Sequence, residues 1–203
     1  MEIKRINTYA DSRFSQRVLH QHGCFLVDGS PYEVEILSDS EAVIRGRDRD
    51  AYPQILEEFR FFAPHITSFF NEAGAAVKVF PPVRLMTIPL ERIQPSQFYV
   101  DEEKLAAVRT FIRKPEDIVI QVLPWEDRFI SLDGHTRLYC AVRMGWTYVR
   151  AVADSADDYI HRFVAEAQAR GIYAPKDMTL VCHAEYEEKW NRFCDDFFAD
   201  EEK

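Results

Sequence analysis

The chain has 203 residues, a formal net charge of −9 at pH 7 and an isoelectric point near 5.2. Its content of 47% hydrophobic and 13% aromatic residues excludes a disordered chain and indicates a packed core. Because nucleic-acid phosphates are bound chiefly by lysine and arginine, the acidic balance argues against a broad nucleic-acid surface. We therefore expect no binding to duplex DNA.

The spacing of the cysteines and the lengths of the apolar runs exclude further classes of protein. The four cysteines are scattered without a Cys-x-x-Cys pair, which argues against a disulfide framework or a zinc site. His20 and His22 would point to different faces of a helix, so we expect no metal site there either. No apolar run approaches the ~20 residues that span a bilayer, and the N-terminus lacks the apolar core of a signal peptide. These features predict a cytoplasmic protein with no membrane partner, and they leave the oligomeric state open.

Residues 1–82 are predicted to form a small α+β extension that begins with a helix and a β-meander. The helix is expected within residues 12–22, with Ser12 or Ser15 as its N-cap. Three β-like runs separated by turn-rich stretches predict an antiparallel meander, at residues 24–27, 32–37 and 42–45.

A longer helix is predicted next. Apolar residues recur at helical spacing from about residue 52 to residue 73, and Pro64 interrupts the pattern. A strand is expected at 77–80. Pro81 and Pro82 then mark the boundary to the following segment, since both residues resist helix and ladder pairing.

Residues 83–153 are predicted to form a compact core of mixed strands and helices. After a first strand that starts near Met86, the expected order is helix 102–112, strand 118–123, strand 129–132, helix 135–144 and strand 147–153.

The remaining segment, residues 154–203, is predicted to form two helices. The first is expected over residues 155–170, with Ser155 as N-cap and Asp158 at the capping-box position. The second is expected over residues 184–198, with an aromatic face. The predicted fold class is therefore α+β.

The run Asp133-Gly134-His135-Thr136-Arg137 is the most informative stretch of the chain. An apolar strand ends in an Asp-Gly turn, and an apolar-periodic helix begins directly after it. The helix start presents free backbone N–H groups and a positive dipole end, and two basic side chains lie in the same turn. This pattern predicts an anion site. In the alternative interpretation, Asp133 and Gly134 only form a turn, and His135 and Arg137 are solvated.

The segment 83–153 resembles the ParB/sulfiredoxin superfamily, whose members carry an Asp-Gly-His-x-Arg motif that opens a helix after a strand. The stretches 88–97 and 101–112 are similar to the opening strand of that domain, its proline turn and the following helix. The superfamily includes chromosome-partition CTPases, sulfiredoxins that use ATP, and nucleotide-dependent free-serine kinases. The resemblance implies a nucleotide or phosphate site, with ATP, ADP or CTP and Mg²⁺ as candidate ligands.

Site roles follow from this resemblance residue by residue. Arg137 would hold a phosphate in bidentate fashion, and His135 would donate to a phosphate oxygen or move a proton. Asp133 would accept from a substrate hydroxyl or hold Mg²⁺ through water. The phosphate-binding candidates are Ser131, Gly134, His135, Thr136 and Arg137, and the catalytic candidates are Asp133, His135 and Gln97.

Gln97 departs from the family pattern. In the serine kinases a glutamate follows the turn proline by two positions and acts as the base, whereas this chain has Gln97 there. A carboxamide cannot take a proton from a hydroxyl, so Gln97 would orient a ligand or water, and Glu102 or Glu103 would act as the base in its place. In the other interpretation, both glutamates are solvated in a first helical turn.

Two functions of the superfamily fit this sequence poorly. Sulfiredoxin chemistry needs a cysteine beside the motif glycine, and Cys140 lies two turns further into the helix. No basic helix-turn-helix follows residue 153, which argues against a partition protein. The leading hypothesis is thus a nucleotide-binding protein that transfers or hydrolyses phosphate. The alternative is a non-catalytic regulatory module that binds an anionic metabolite or a protein partner, and the sequence leaves open whether the chain is an enzyme.

Overall fold

The computed structural model describes the backbone of residues 1–201 and the side chains of residues 1–199. Residues 202 and 203 of the C-terminal segment lie outside this range. The fold is α+β, as the sequence predicted. The chain divides into two compact units, of which the first is Met1–Arg84 and the second begins at Leu85.

The first unit contains a six-stranded sheet in which the strands follow one another in chain order. Only β4 and β5 pair in parallel, and the other neighbours are antiparallel. The predicted meander forms the middle of this sheet. The strands are β1 Ile3–Arg5, β2 Cys24–Val27, β3 Ser30–Ile36, β4 Glu41–Arg45, β5 Ser68–Phe70 and β6 Ala76–Val79.

Two helices accompany this sheet, α1 (Gln16–His20) and α2 (Tyr52–Phe62). The side chain of Ser15 accepts the N–H of Val18, so Ser15 is the N-cap of α1 and Ser12 is not. The core of the unit packs one face of α2 against the sheet, and its largest fully buried side chains include Phe25, Phe59 and Phe69.

The helix expected up to residue 73 is wrong in its second half. α2 ends at Phe62, and residues Ser68–Phe70 form β5 instead. Pro64 cannot donate a helical hydrogen bond. The N–H groups of Thr67 and Ser68 both donate to the carbonyl of Ser40, which aligns β5 beside β4. Tertiary pairing therefore overrides the helical spacing of the phenylalanines.

The second unit is built on a five-stranded mixed sheet of order β7-β12-β10-β11-β8. The β10–β12 and β11–β8 pairs are parallel, and the β10–β11 and β12–β7 pairs are antiparallel. The helix α4 (His135–Arg143) connects β11 to β12, as predicted. The strands are β7 Leu85–Pro89, β8 Ile93–Pro95, β10 Val119–Trp125, β11 Arg128–Ser131 and β12 Tyr148–Ala153.

A separate two-stranded parallel sheet joins β9 (Tyr99–Asp101) to β13 (Thr179–Val181). Neither strand is predicted from the sequence. β9 leads into α3 (Glu102–Val108), which is shorter than the helix predicted to residue 112 because bonds to the third preceding carbonyl tighten its last turn.

The C-terminal helices belong to the second unit. α5 is Tyr159–Ala169, and the predicted capping role of Ser155 is wrong. Ser155 lies four residues before α5, and its N–H donates to the side chain of Asp154. The second predicted helix is confirmed as three consecutive helical segments, α6 His183–Tyr186, a π-helical turn Glu187–Asn191 and α7 Arg192–Glu201.

One hydrophobic core extends through most of the second unit. It includes the inward side chains of β10 and the apolar face of α4, and the partly buried Trp190 and Phe193 pack against it. In the part of the chain that the structure describes, no helix is both long and apolar enough to cross a membrane.

Candidate functional site

The junction between β11 and α4 is built around Gly134. This residue has a φ of +82°, a left-handed conformation that glycine adopts without strain. A Cβ atom at this position would lie 2.6 Å from Cγ2 of Ile120 and 3.1 Å from both Nε and Nη2 of Arg137. The strand can therefore turn into the helix only because this residue lacks a side chain, and the guanidinium lies directly against the turn.

Arg137 is fixed in place at this turn. Its Nη1 donates to the carbonyl of Val119 at 2.6 Å, and its Nη2 donates to Oδ2 of Asp133 at 2.7 Å. The side chain of Arg137 is 26% exposed and that of Asp133 is 45% exposed. A guanidinium has more N–H groups than these two bonds use. The positively charged guanidinium of Arg137 therefore lies at a solvent-accessible helix start and retains N–H groups that can donate to a ligand.

His135, the first residue of α4, is buried among hydroxyl groups. Its Nε2 lies 3.0 Å from Oγ of Ser131 and 3.1 Å from Oγ of Ser96, and Ser96 Oγ donates to the carbonyl of Ser131 at 2.7 Å. Burial lowers the pKa of His135 to about 4, and the nearby Asp133 only partly opposes this. The imidazole is therefore neutral at pH 7.

The predicted residues of the motif divide into an accessible and a buried group. Asp133, Thr136 and Arg137 are partly exposed around the first turn of α4, whereas Ser131 and His135 are buried. Ser96, which connects β8 to this turn, is not among the site residues predicted from the sequence.

Gln97 is placed differently from its neighbour Ser96. Its Nε2 donates to the carbonyl of Tyr99 at 2.5 Å and to Oη of Tyr186 at 3.4 Å, so both amide N–H groups are used. These partners belong to β9 and α6. The structure thus does not bring the amide of Gln97 into hydrogen-bond contact with the motif residues.

A further polar pair lies at the end of β9. Asp101 is fully buried and its Oδ1 accepts the N–H of Glu103, which caps α3. Its Oδ2 lies 2.7 Å from Nδ1 of His183, and this hydrogen bond raises the pKa of His183. Glu102 and Glu103, the predicted substitutes for a base, are exposed in the first turn of α3.

Residues that could hold a metal ion are few. Among the described residues, no group of three or more histidine, cysteine, aspartate or glutamate side chains lies close enough together to bind one. Asp133 supplies a single carboxylate at the helix start. A single carboxylate suits Mg²⁺ that keeps its waters and is carried by a phosphate chain, because Mg²⁺ is commonly bound in that way.

Comparisons with known structures include the following two distant likenesses. No protein family matches the chain, and no curated protein matches its sequence. The crystal structure of protein Atu1540 from Agrobacterium tumefaciens is similar with a TM-score of 0.35 and 17% identity, over 47% of this chain and 61% of that one. A free serine kinase variant in complex with AMP is similar with a TM-score of 0.28 and 22% identity, over 38% of this chain and 32% of that one. The chain thus spans less than two thirds of either structure, and TM-scores this low establish no shared function.

Proposed function

We propose that the second unit is a ParB/sulfiredoxin-like domain that binds the phosphate groups of a nucleotide at the start of α4. The observation that carries this proposal is the position of the Arg137 guanidinium, which lies 3.1 Å from the Cβ position of Gly134 at the point where α4 begins. Backbone donors, helix dipole and a fixed cation then act on the same anion.

The tethering of Arg137 supports this function. The bonds to Val119 and Asp133 fix the plane of the guanidinium before any ligand arrives, so less side-chain entropy is lost when a phosphate binds.

The same geometry favours a nucleotide that carries its own metal ion. A triphosphate has about four negative charges, and one arginine with a helix start neutralises only part of them. Mg²⁺ on the phosphates of ATP, ADP or CTP would supply the rest, and Asp133 would hold its water shell. The ion would act by neutralising charge on the transferred phosphoryl group.

A non-catalytic role is the second candidate, and a specific observation favours it. The amide of Gln97 is occupied by Tyr99 and Tyr186, and the neutral His135 is enclosed by serine hydroxyls. Neither group is arranged as a general base at the helix start. In this case the second unit would be a non-catalytic regulatory module that binds an anionic metabolite.

The experiment that tests the binding proposal is a thermal-shift series with ATP, ADP, CTP and GTP, each with and without Mg²⁺. A ligand that binds the native state raises the melting temperature of the protein. At a ligand concentration one hundred times the Kd, the free energy of unfolding increases by about 2.7 kcal/mol. We expect a rise with at least one nucleotide. Inorganic pyrophosphate is added to the series as a further ligand. The proposal is overturned if the melting temperature rises neither with a nucleotide nor with pyrophosphate.

A further inference from the structure

A buried carboxylate and a half-exposed imidazole form a pair at the end of β9. The side chain of Asp101 is 1% exposed and that of His183 is 49% exposed, and Oδ2 and Nδ1 are 2.7 Å apart. The other carboxylate oxygen is held by the N–H of Glu103. In the described part of the chain, Nε2 of His183 has no hydrogen-bond partner. Asp101 thus fixes the orientation of the ring and leaves its second nitrogen accessible.

A short path of contacts joins this pair to the start of α4. His183 and Tyr186 are three residues apart on α6 and therefore lie on the same face. Tyr186 contacts Gln97, and the adjoining Ser96 contacts His135 in the first turn of α4. The two-residue segment 96–97 therefore contacts both His135, the first residue of α4, and the helix that carries His183.

We propose that His183 is the general base of a phosphoryl-transfer reaction and that Asp101 is its positioning residue. The inference rests on the proposed function, and it supplies the group that Gln97 cannot provide. An accessible imidazole whose other nitrogen is held by a buried carboxylate is an arrangement that enzymes use to move protons.

The proposed reaction transfers the terminal phosphoryl group of a nucleoside triphosphate to a hydroxyl group. The oxygen of an attacking hydroxyl, from water or an alcohol, forms a bond to the terminal phosphorus of a nucleoside triphosphate. The bond from that phosphorus to the bridging oxygen breaks, and its electron pair leaves with the nucleoside diphosphate. The hydroxyl proton passes to Nε2 of His183 and then to solvent.

The charges around His183 set the pH at which this base works. The hydrogen bond with Asp101 raises the pKa of His183 most, and the charges of Glu103 and Glu187 add to it. His183 accepts a proton only when it is neutral. The rate should therefore increase with pH through a value above the ordinary 6.5 of histidine.

The test measures phosphate release from Mg-ATP and Mg-CTP by the full chain between pH 5.5 and 9.5. His183→Ala should lower the rate by on the order of 10² or more and leave the nucleotide-induced rise in melting temperature unchanged. Added imidazole should restore part of the rate. Asp101→Asn should lower the rate and move the inflection of the pH profile to lower pH. His161→Ala, at an exposed position on α5, is the control.

The results distinguish a catalytic role of His183 from a purely structural role of its hydrogen bond with Asp101. Equal rates in His183→Ala and wild type would overturn the proposal, as would a lowered rate that imidazole does not restore. A wild type that shows a nucleotide-induced rise in melting temperature but no phosphate release would also overturn it, and the phosphate site would remain. If Asp101→Asn fails to fold, His183→Ala with imidazole decides alone. A wild type without any such rise would instead overturn the proposed function itself.

Discussion

At the scale of single residues, the start of α4 depends on groups that have little freedom. Gly134 cannot carry a side chain, Arg137 is held at two points, and His135 is kept neutral by burial. The sequence indicated the glycine turn, because an Asp-Gly turn before a periodic helix is a local pattern, but it did not indicate that Val119 and Asp133 hold Arg137. It gave no sign that His135 is enclosed, since its partner Ser96 is 39 positions away.

Replacing Gly134 should destabilise the second unit more than replacing another left-handed glycine. In Gly134→Ala, the new methyl group meets Ile120 at 2.6 Å, and the left-handed backbone costs about 1–2 kcal/mol in addition. We expect a total loss of at least about 3 kcal/mol. Gly145→Ala is the matched control, because Gly145 has a φ of +73° but no atom within 4 Å of a Cβ. Urea denaturation measures both, and equal losses would show that the turn is not crowded.

Acid should destabilise the protein through His135. Its folded pKa of about 4 lies below the unfolded value of 6.5, so the unfolded state binds the proton more readily. Its contribution to stability is complete above pH 6.5 and is lost as the pH falls through 4, by roughly 3 kcal/mol in total. His135→Asn, which does not titrate, should flatten this part of the stability–pH curve. Parallel curves for wild type and variant would contradict the assignment.

At the scale of elements, local signals predicted the strands and helices that follow the chain, and long-range pairing produced the exceptions. β10, β11, α4 and β12 lie within a few residues of their predicted bounds. β9 and β13 are three residues each and pair across the chain, so no periodicity marks them. The pair of Asp101 and His183 depends on that pairing, since its residues are 82 positions apart.

The caps of the helices give a direct comparison between a confirmed and a wrong prediction. Ser15→Ala removes the acceptor for the N–H of Val18 and should cost about 1 kcal/mol. Ser155→Ala should change stability by less than about 0.5 kcal/mol, because this side chain caps no helix. Thermal denaturation of the two variants checks this. A larger loss in Ser155→Ala than in Ser15→Ala would reverse the assignment.

At the scale of the whole molecule, net charge limits the partners. A chain with a charge of −9 repels the phosphate backbone of DNA, and a few local arginines do not compensate for this. We expect no more than weak, salt-sensitive binding to duplex DNA at physiological salt. Fluorescence anisotropy with a labelled duplex tests this, and a sequence-selective complex of sub-micromolar Kd would contradict it.

Titration calorimetry of Arg137→Ala is the sharpest test of whether Arg137 binds phosphate at the start of α4. Arg143→Ala, in the last turn of the same helix, is the control with the same loss of charge. With the nucleotide that gives the largest thermal shift, Arg137→Ala should lose about 2 kcal/mol of binding free energy, or about thirtyfold in Kd. Arg143→Ala should bind as wild type does. Equal affinity of Arg137→Ala and wild type would show that Arg137 does not bind the phosphate.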